Sequence, residues 1–372
     1  MKITSVEVIH VVAPLKVAAG PPGHFNAARE SIFVKVVAES GFAGWGETYA
    51  LPGVAATIKS FESLLIGSDP IASLGSWCPP WVATVAHPSG LAAIDIALHD
   101  LCGRILGVPV HVLLGGAKRG RVRAYASGLL YRDGAPAAEV WRSEAAELVQ
   151  RGFTAIKLRI GGGPMLEEME VLEELRSEVP DQVELMVDAW GAYSSTTALS
   201  AGRRLQEIGI AWFEEPLVPE PDHGGYAELA RALDIPIAGG EMVRDRGVFK
   251  ALFERSCFDI VQPDICICGG LRELLFVSEL AELYGVTCIP HSWNGAVMNA
   301  ATLHAASVIQ ARSRLETADA MLLEYDTSEN PFMREIVVNP PLLVDGFFEV
   351  PSTPGLGVTL DEERLRTFAV AR

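Results

Sequence analysis

Seven polar residues stand at or near the ends of apolar runs: Lys157, Asp188, Glu214, Glu241, Asp264, His291 and Glu324, spaced 23 to 33 residues apart. A buried charge is costly unless it is paired or bound to a metal. One such residue is readily explained by a core salt bridge, but seven at a nearly constant step call for a common cause. Asp188, Glu214 and Glu241 gathered in a small volume would repel one another. They need a cation, or their proton affinities must rise. A set of oxygen ligands without a thiolate suits a hard ion, and Mg²⁺ fits best because it takes few carboxylates and leaves positions for water and substrate. Two alternatives stay open: Glu215 or Asp264 as a ligand instead, or one of the trio pairing only with Lys157.

Asp264 and His291 lie 27 residues apart on what read as consecutive strands. A carboxylate beside an imidazole fixes its tautomer and raises its basicity, as a general base near neutral pH requires. Glu324, from the last strand, could share a proton with a substrate oxygen if burial keeps it protonated. The stretch TAIKLRIGG, residues 154–162, adds two cations. In a strand, Lys157 and Arg159 share one face while Ile156, Leu158 and Ile160 share the other. Cations beside a carboxylate-ringed metal would trap an anionic substrate. The alternative is that they only neutralise the acids.

The elements that must position these residues are short. From about residue 120, eight strand-like runs (RVRAYAS, TAIKLRI, VELMVDAW, IAWFEEP, IPIAGGE, DIVQPDI, VTCIPHS and AMLLEYD) alternate with helical text. Such alternation predicts a parallel barrel ringed by helices, with neighbouring strand ends converging at its C-terminal mouth. An open doubly wound sheet is the alternative, but it would usually show a Gly-rich phosphate loop early on. Before the barrel, SIFVKVVAESGFAGWGETYA reads as a hairpin turning at Glu39-Ser40-Gly41. LKVAAGPPGHFNAARE, rich in Gly and Pro and without a period, reads as a loop long enough to cover a site. Ile94, Leu98, Leu101 and Ile105 form the apolar stripe of a helix that Gly107 can cap. The tail NPPLLVDGFFEVPSTPGLGV returns to strand and turn.

The 372 residues are too many for one ordinary core. A net charge of −17 argues against nucleic acid or an anionic membrane as partner. No apolar run reaches the ~18 residues of a membrane span, and the N-terminus lacks the pattern of a signal peptide. Cysteines 78, 102, 257, 266, 268 and 288 are scattered, and read as reduced thiols of a cytoplasmic protein. Cys266 and Cys268 form C-x-C in what reads as an apolar strand, which favours packing over metal or redox work.

The constellation resembles the enolase superfamily, and within it the mandelate racemase group. The segments GWGE, AAIDIALHDLCGRILGVPVHVLLGG, VDAWG, WFEEPL, IAGGE, QPDI and PHSWNG occur in the family's order over the whole chain. The resemblance implies a (β/α)7β barrel over residues 119–334, capped by an α+β domain built from residues 1–118 and 335–372. It implies Asp188, Glu214 and Glu241 as Mg²⁺ ligands, Asp264 and His291 as the base dyad, and Glu324 as partner of the enolate oxygen. The cap segment 15–30, with His24, would close over a small-molecule carboxylate. The shared step is removal of the proton α to a carboxylate, and a homo-oligomer is the expected assembly.

Two positions depart from the family. Racemases carry Lys-x-Lys, the second lysine being a base on the other face, and here that position is Arg159. A guanidinium is a poor base. One base on one face suits elimination, which favours dehydration of a sugar acid to a 2-keto-3-deoxy acid. Trp190 stands where relatives often carry Asn. The C-terminal third looks most like sugar-acid dehydratases and lactone cycloisomerases, so a cycloisomerase is the nearest alternative and a racemase or epimerase the next. A binding protein with a defunct site is a different class, which a complete base dyad argues against. An amidohydrolase-type barrel would need a paired-histidine motif that the sequence lacks.

Overall fold

The computed structural model describes residues 1–21, 23–76, 78, 80–218, 223–310 and 321–370. Strands β1 (Ile3–Gly20), β2 (Asn26–Ala38) and β3 (Ala43–Thr48) pair antiparallel in the order β3-β2-β1. Then come β4 (Arg121–Ser127), β5 (Tyr131–Arg132), β6 (Ala155–Arg159), β7 (Glu184–Asp188), β8 (Phe213–Glu214), β9 (Ile237–Gly239), β10 (Ile260–Val261), β11 (Thr287–Cys288) and β12 (Leu322–Asp326). A hairpin of β13 (Leu343–Val344) and β14 (Phe347–Glu349) follows. All eight strand-like runs of the sequence contain a barrel strand. They pair in parallel as β12-β4-β6-β7-β8-β9-β10-β11, with helices between most of them. This is the (β/α)7β barrel under an N-terminal α+β cap. Among the described residues its ladder is open at one seam, between β11 and β12. Hydrogen bonds cross that seam instead: Asn299 Nδ2 donates to the Glu324 carbonyl at 3.0 Å, and the Ser292 N–H to its carboxylate at 2.8 Å.

The segment 15–30 is not a loop. β1 and β2 run through most of it, ending at Gly20 and starting again at Asn26. The register slips between Pro14 and Ala19, and beyond the slip Ala19 and Gly20 pair with Arg132 and Tyr131 of β5. Pairing on both sides of β1 holds extended a stretch whose composition alone suggests a coil. It forms an arm reaching from the cap to the barrel.

Helix Pro88–Leu106 ends at Gly107, whose φ of 70° is the left-handed cap expected. It carries more than one apolar stripe, because it lies between cap sheet and barrel and is buried on nearly every face from Ser89 to Gly103. Ile94, Leu98 and Leu101 enter the cap core and Ile96 the barrel-side core, each worth about 2 kcal/mol of burial. The glycines of GWGE are explained by this contact. A Cβ on Gly46 would lie 1.9 Å from the Ala93 carbonyl oxygen, and one on Gly44 2.2 Å from that of Ala97. Between them the Trp45 N–H donates to Asp100 Oδ2 at 2.9 Å.

The tail serves both domains. β14 pairs with β4 of the barrel. The final residues then return to the cap, where the Val370 N–H donates to the His10 carbonyl at 2.9 Å. The six cysteines are free thiols, five of them buried. Cys266 and Cys268 lie not in a strand but in the short helix Ile265–Cys268, which Asp264 caps through the Cys266 N–H. Among the described residues no helix is long and apolar enough to cross a membrane.

Candidate active site

The period of two along a strand builds the barrel interior in layers. Tyr125, Ala155, Met186, Trp212, Ala238, Ile289 and Leu322 form an apolar cluster inside the ring of strands. Two residues further along the same strands or their ends stand Lys157, Asp188, Glu214, His291 and Glu324, with Asp264 likewise two beyond buried Gln262. The apolar layer is a floor, and the polar layer sits on it at the mouth. Register aligns this layer: Arg159 pairs with Asp188 across β6–β7, and Asp188 with Glu214 across β7–β8. Ile156, Leu158 and Ile160 turn to the helix-side core, as the alternation of TAIKLRI predicts.

Asp188, Glu214 and Glu241 each offer an oxygen within 4.8 Å of the others, and all three are buried. Their charges do not balance well. Burial and the neighbouring carboxylates push Glu214 up to about 8, against the pull of Lys157. Burial raises Glu241 as well, while for Asp188 the cations Arg159 and Lys157 outweigh burial and keep it ionised. Glu241 Oε2 is buried and makes no hydrogen bond, its neighbour being His291 Nε2 at 3.1 Å. An oxygen-only cluster with an unsatisfied oxygen, in which the two glutamates are pushed up, fits a hard divalent cation. Glu215, the alternative ligand, turns instead to the Tyr226 hydroxyl and to the Gly240 N–H at 2.7 Å.

Asp264 and His291 meet as the spacing suggests. Their backbones form a parallel bridge, and Nδ1 of His291 lies 2.6 Å from Oδ2 of Asp264. Because that carboxylate accepts from Nδ1, the lone pair of the neutral ring is left on Nε2, which faces the trio. Burial opposes a charge on His291, but Glu241, Glu324 and the bond to Asp264 outweigh it and lift the ring to about 10. A cation held by the trio would take up the charge of Glu241, the largest part of that pull, and leave the ring freer to act as a base.

Glu324 departs from expectation. Burial does not keep it protonated, because Lys157 at 2.9 Å and His291 pull it down to about 2, helped by the Ser292 N–H. Lys157 is 1% exposed and contacts Glu214, Glu324 at 2.9 Å and Asp188 at 3.5 Å. Arg159 pairs with Asp188, and it also lines the cavity above the site. That cavity has a volume of about 350 Å³ and reaches from His291, Asp264 and Glu241 to His24 on the arm.

Some residues of the site escaped the sequence reading. Tyr49, two residues beyond Glu47 in GWGETY, lines the cavity and donates its hydroxyl to Asp264 Oδ2 at 2.7 Å. Its position on the Glu47 side of an alternating strand was the available signal. Glu47 itself accepts the N–H groups of Gly295, Val297 and Met298 at the start of helix Ala296–Val308. It thereby ties the cap to the segment that follows His291. Burial pushes its carboxyl up to about 7 against those hydrogen bonds. Trp293 stands over Arg29 and Arg159, 4.9 and 5.5 Å from their guanidinium carbons, and nothing short of the fold marks it.

The chain matches two family descriptions: "Mandelate racemase / muconate lactonizing enzyme, N-terminal domain" over residues 1–115, and "Enolase C-terminal domain-like" over residues 141–364. It is 35% identical to the D-galactarolactone cycloisomerase of Agrobacterium fabrum over 349 residues, 91% of each chain. It is 32% identical to the arabinonate dehydratase of Saccharolobus solfataricus over 342 residues, 89% of this chain and 88% of that one. Among solved structures, the 3,6-anhydro-D-galactonate cycloisomerase of Zobellia galactanivorans superposes with a TM-score of 0.88 at 31% identity, covering 100% of both chains.

Proposed function

As a member of the enolase superfamily, in its mandelate racemase and muconate lactonizing enzyme group, the chain is an enzyme of lyase or isomerase type, and we propose that it removes the proton α to the carboxylate of a sugar acid and expels a β-oxygen. The observation that carries this reading is the His291 imidazole, aligned by Asp264 and set 3.1 Å from Glu241 of the carboxylate trio, with the guanidinium of Arg159 lining the same cavity.

Asp188, Glu214 and Glu241 would hold Mg²⁺, which when bound supplies positive charge where the substrate carboxylate gains negative charge. Arg159 lines the cavity and orients that carboxylate by charge-assisted hydrogen bonds. Lys157 lies one layer deeper and holds Glu214 and Glu324 in place. His291 Nε2 takes the α-proton. Its Nδ1–H stays on Asp264, so the ring gains a charge without turning. The same Nε2–H then protonates the leaving β-oxygen on the same face. The enol left behind becomes a 2-keto-3-deoxy acid by tautomerisation. Arg159, which cannot act as a base on the opposite face, is why elimination is preferred to racemisation.

A ring-opening cycloisomerisation needs the same groups, the leaving oxygen being part of a lactone or ether ring. The mostly apolar lining of the cavity supports that second reading. Proton NMR in D₂O with Mg²⁺ and a panel of aldonic and aldaric acids and lactones separates them. A deuterated 2-keto-3-deoxy product from an open-chain acid supports dehydration, and the same product only from a cyclic acid supports cycloisomerisation. Deuterium at the α-carbon without elimination would sink both.

A further inference from the structure

The groups around His291 account for one carboxylate; the remaining cavity wall bears on what that carboxylate is attached to. Arg29 is the other arginine lining the cavity, and its guanidinium is already engaged. It donates to Asp326 Oδ2 at 2.9 Å and to the Ser328 hydroxyl at 2.6 Å. Glu329 adds a negative charge, its Oε2 accepting the Lys16 N–H at 3.0 Å. His24 is the one further basic side chain of the lining, and its ring faces Trp190 at 5.8 Å. Among the described lining residues, both arginines are thus already neutralised by carboxylates. A second substrate carboxylate would give up water for no ion partner of its own. Much of the remaining wall is apolar: Leu15, Val17, Leu51, Leu130, Met242 and Ile267.

Trp190 is an independent observation. Its φ is 46°, in the left-handed region, which for a bulky side chain costs about 1 kcal/mol or more. The backbone has a use there, since its N–H donates to Asp188 Oδ1 at 2.9 Å. Asn would meet that geometry with less strain, because it visits the left-handed region readily. Keeping tryptophan therefore calls for a use of the side chain itself. The residue is 44% exposed and lines the cavity beside His24 of the arm.

We propose that the substrate carries a single carboxylate and an uncharged tail whose C–H face packs on Trp190, and that Trp190 is the residue selecting such acids against open-chain sugar diacids. This rests on the α-proton reading above and narrows its substrate class. The leaving oxygen can be a hydroxyl or a ring oxygen. In either case the α-proton passes to His291 and then to the departing oxygen, so atoms balance without a co-reactant.

The test uses the full chain with Mg²⁺ and matched acids: aldonates and aldarate monolactones against open-chain aldarates. The expected kcat/KM favours the monocarboxylates by about 100-fold, the scale of a charge left without a partner. Trp190→Asn is expected to raise KM for the preferred acid about tenfold with kcat within about threefold, and to narrow the preference. Faster turnover of aldarates, or an unchanged preference in Trp190→Asn, overturns the proposal. Calorimetric binding of the same acids to the Mg²⁺-loaded His291→Asn variant separates the two readings. Tighter binding of monocarboxylates supports the proposal even if no acid exchanges its α-proton, an outcome that refutes the α-proton reading alone. Equal or tighter binding of aldarates, or binding of neither class, overturns it.

Discussion

The Tyr49 hydroxyl and the Nδ1 of His291 meet at one oxygen, Oδ2 of Asp264, at 2.7 and 2.6 Å. Tyr49 follows the cap strand β3, and the dyad belongs to the barrel. Burial, and then Asp264, hold the Tyr49 phenol well above its ordinary range, so it remains a donor. The Asp264–His291 pair is therefore held from both domains.

Removing that hydroxyl should slow chemistry without unfolding the protein. A hydrogen bond to a charged group is worth about 1.5–3 kcal/mol, so Tyr49→Phe is expected to lower kcat about tenfold or more. The ring stays in the cavity wall, so KM should change by less than about threefold. Steady-state kinetics on the substrate found by NMR checks this, and a wild-type kcat would show that the contact is incidental.

His291→Asn removes the group assigned as the base. Turnover and α-deuteration are expected to fall by about 10³-fold or more. Mg²⁺ binding should persist, because the trio is intact. Isothermal titration and exchange in D₂O measure the two separately. Full activity would remove His291 from the mechanism.

Mg²⁺ affinity should rise with pH. Glu214 is pushed up to about 8, so below that pH the incoming cation must displace a proton. The apparent affinity should gain up to about tenfold per pH unit from 6 to 8 and then level off. Titrations in two buffers of different ionisation enthalpy would reveal the released proton. Stripping divalent ions should abolish turnover, and adding Mg²⁺ should restore it.

His304 lies far from the mouth of the barrel and gives a separate pH signature. Its Nδ1 accepts the His111 N–H at 3.2 Å, which requires a neutral ring, and burial lowers it to about 4. A depressed folded value contributes stability above about 6.5 that is lost as pH falls toward 4. The loss amounts to about 3 kcal/mol. Urea unfolding at pH 7, 5.5 and 4 should show it, and His304→Gln should flatten that part of the slope.

The barrel was legible because a two-residue period and a 23-to-33-residue spacing are both written along the chain. Lys157 and Arg159 on one face, and Asp264 beside His291, follow from that period. The ionisation of Glu324 did not follow, because it depends on how close Lys157 comes across the barrel, and spacing carries no distance. The arm was misread because its far end is fixed by pairing that composition does not carry: Ala19 pairs with Asn26 on one side and Arg132 on the other, and Gly20 with Tyr131, more than a hundred residues away. Tyr49 was missed for the same reason: its partner Asp264 lies in the other domain.

Gly44 and Gly46 leave no clearance between the cap sheet and helix Pro88–Leu106. That clamped end of the cap carries Tyr49, while His24 sits at the tip of the arm, beyond the slip in register between Pro14 and Ala19. The two duties of the cap are thus divided along its length. On the reading proposed above, alignment of His291 descends from the clamped part, and contact with the substrate from an arm that mutation can reshape. A lineage could exchange one substrate for another by redrawing the arm and position 190, while inheriting the dyad geometry unaltered.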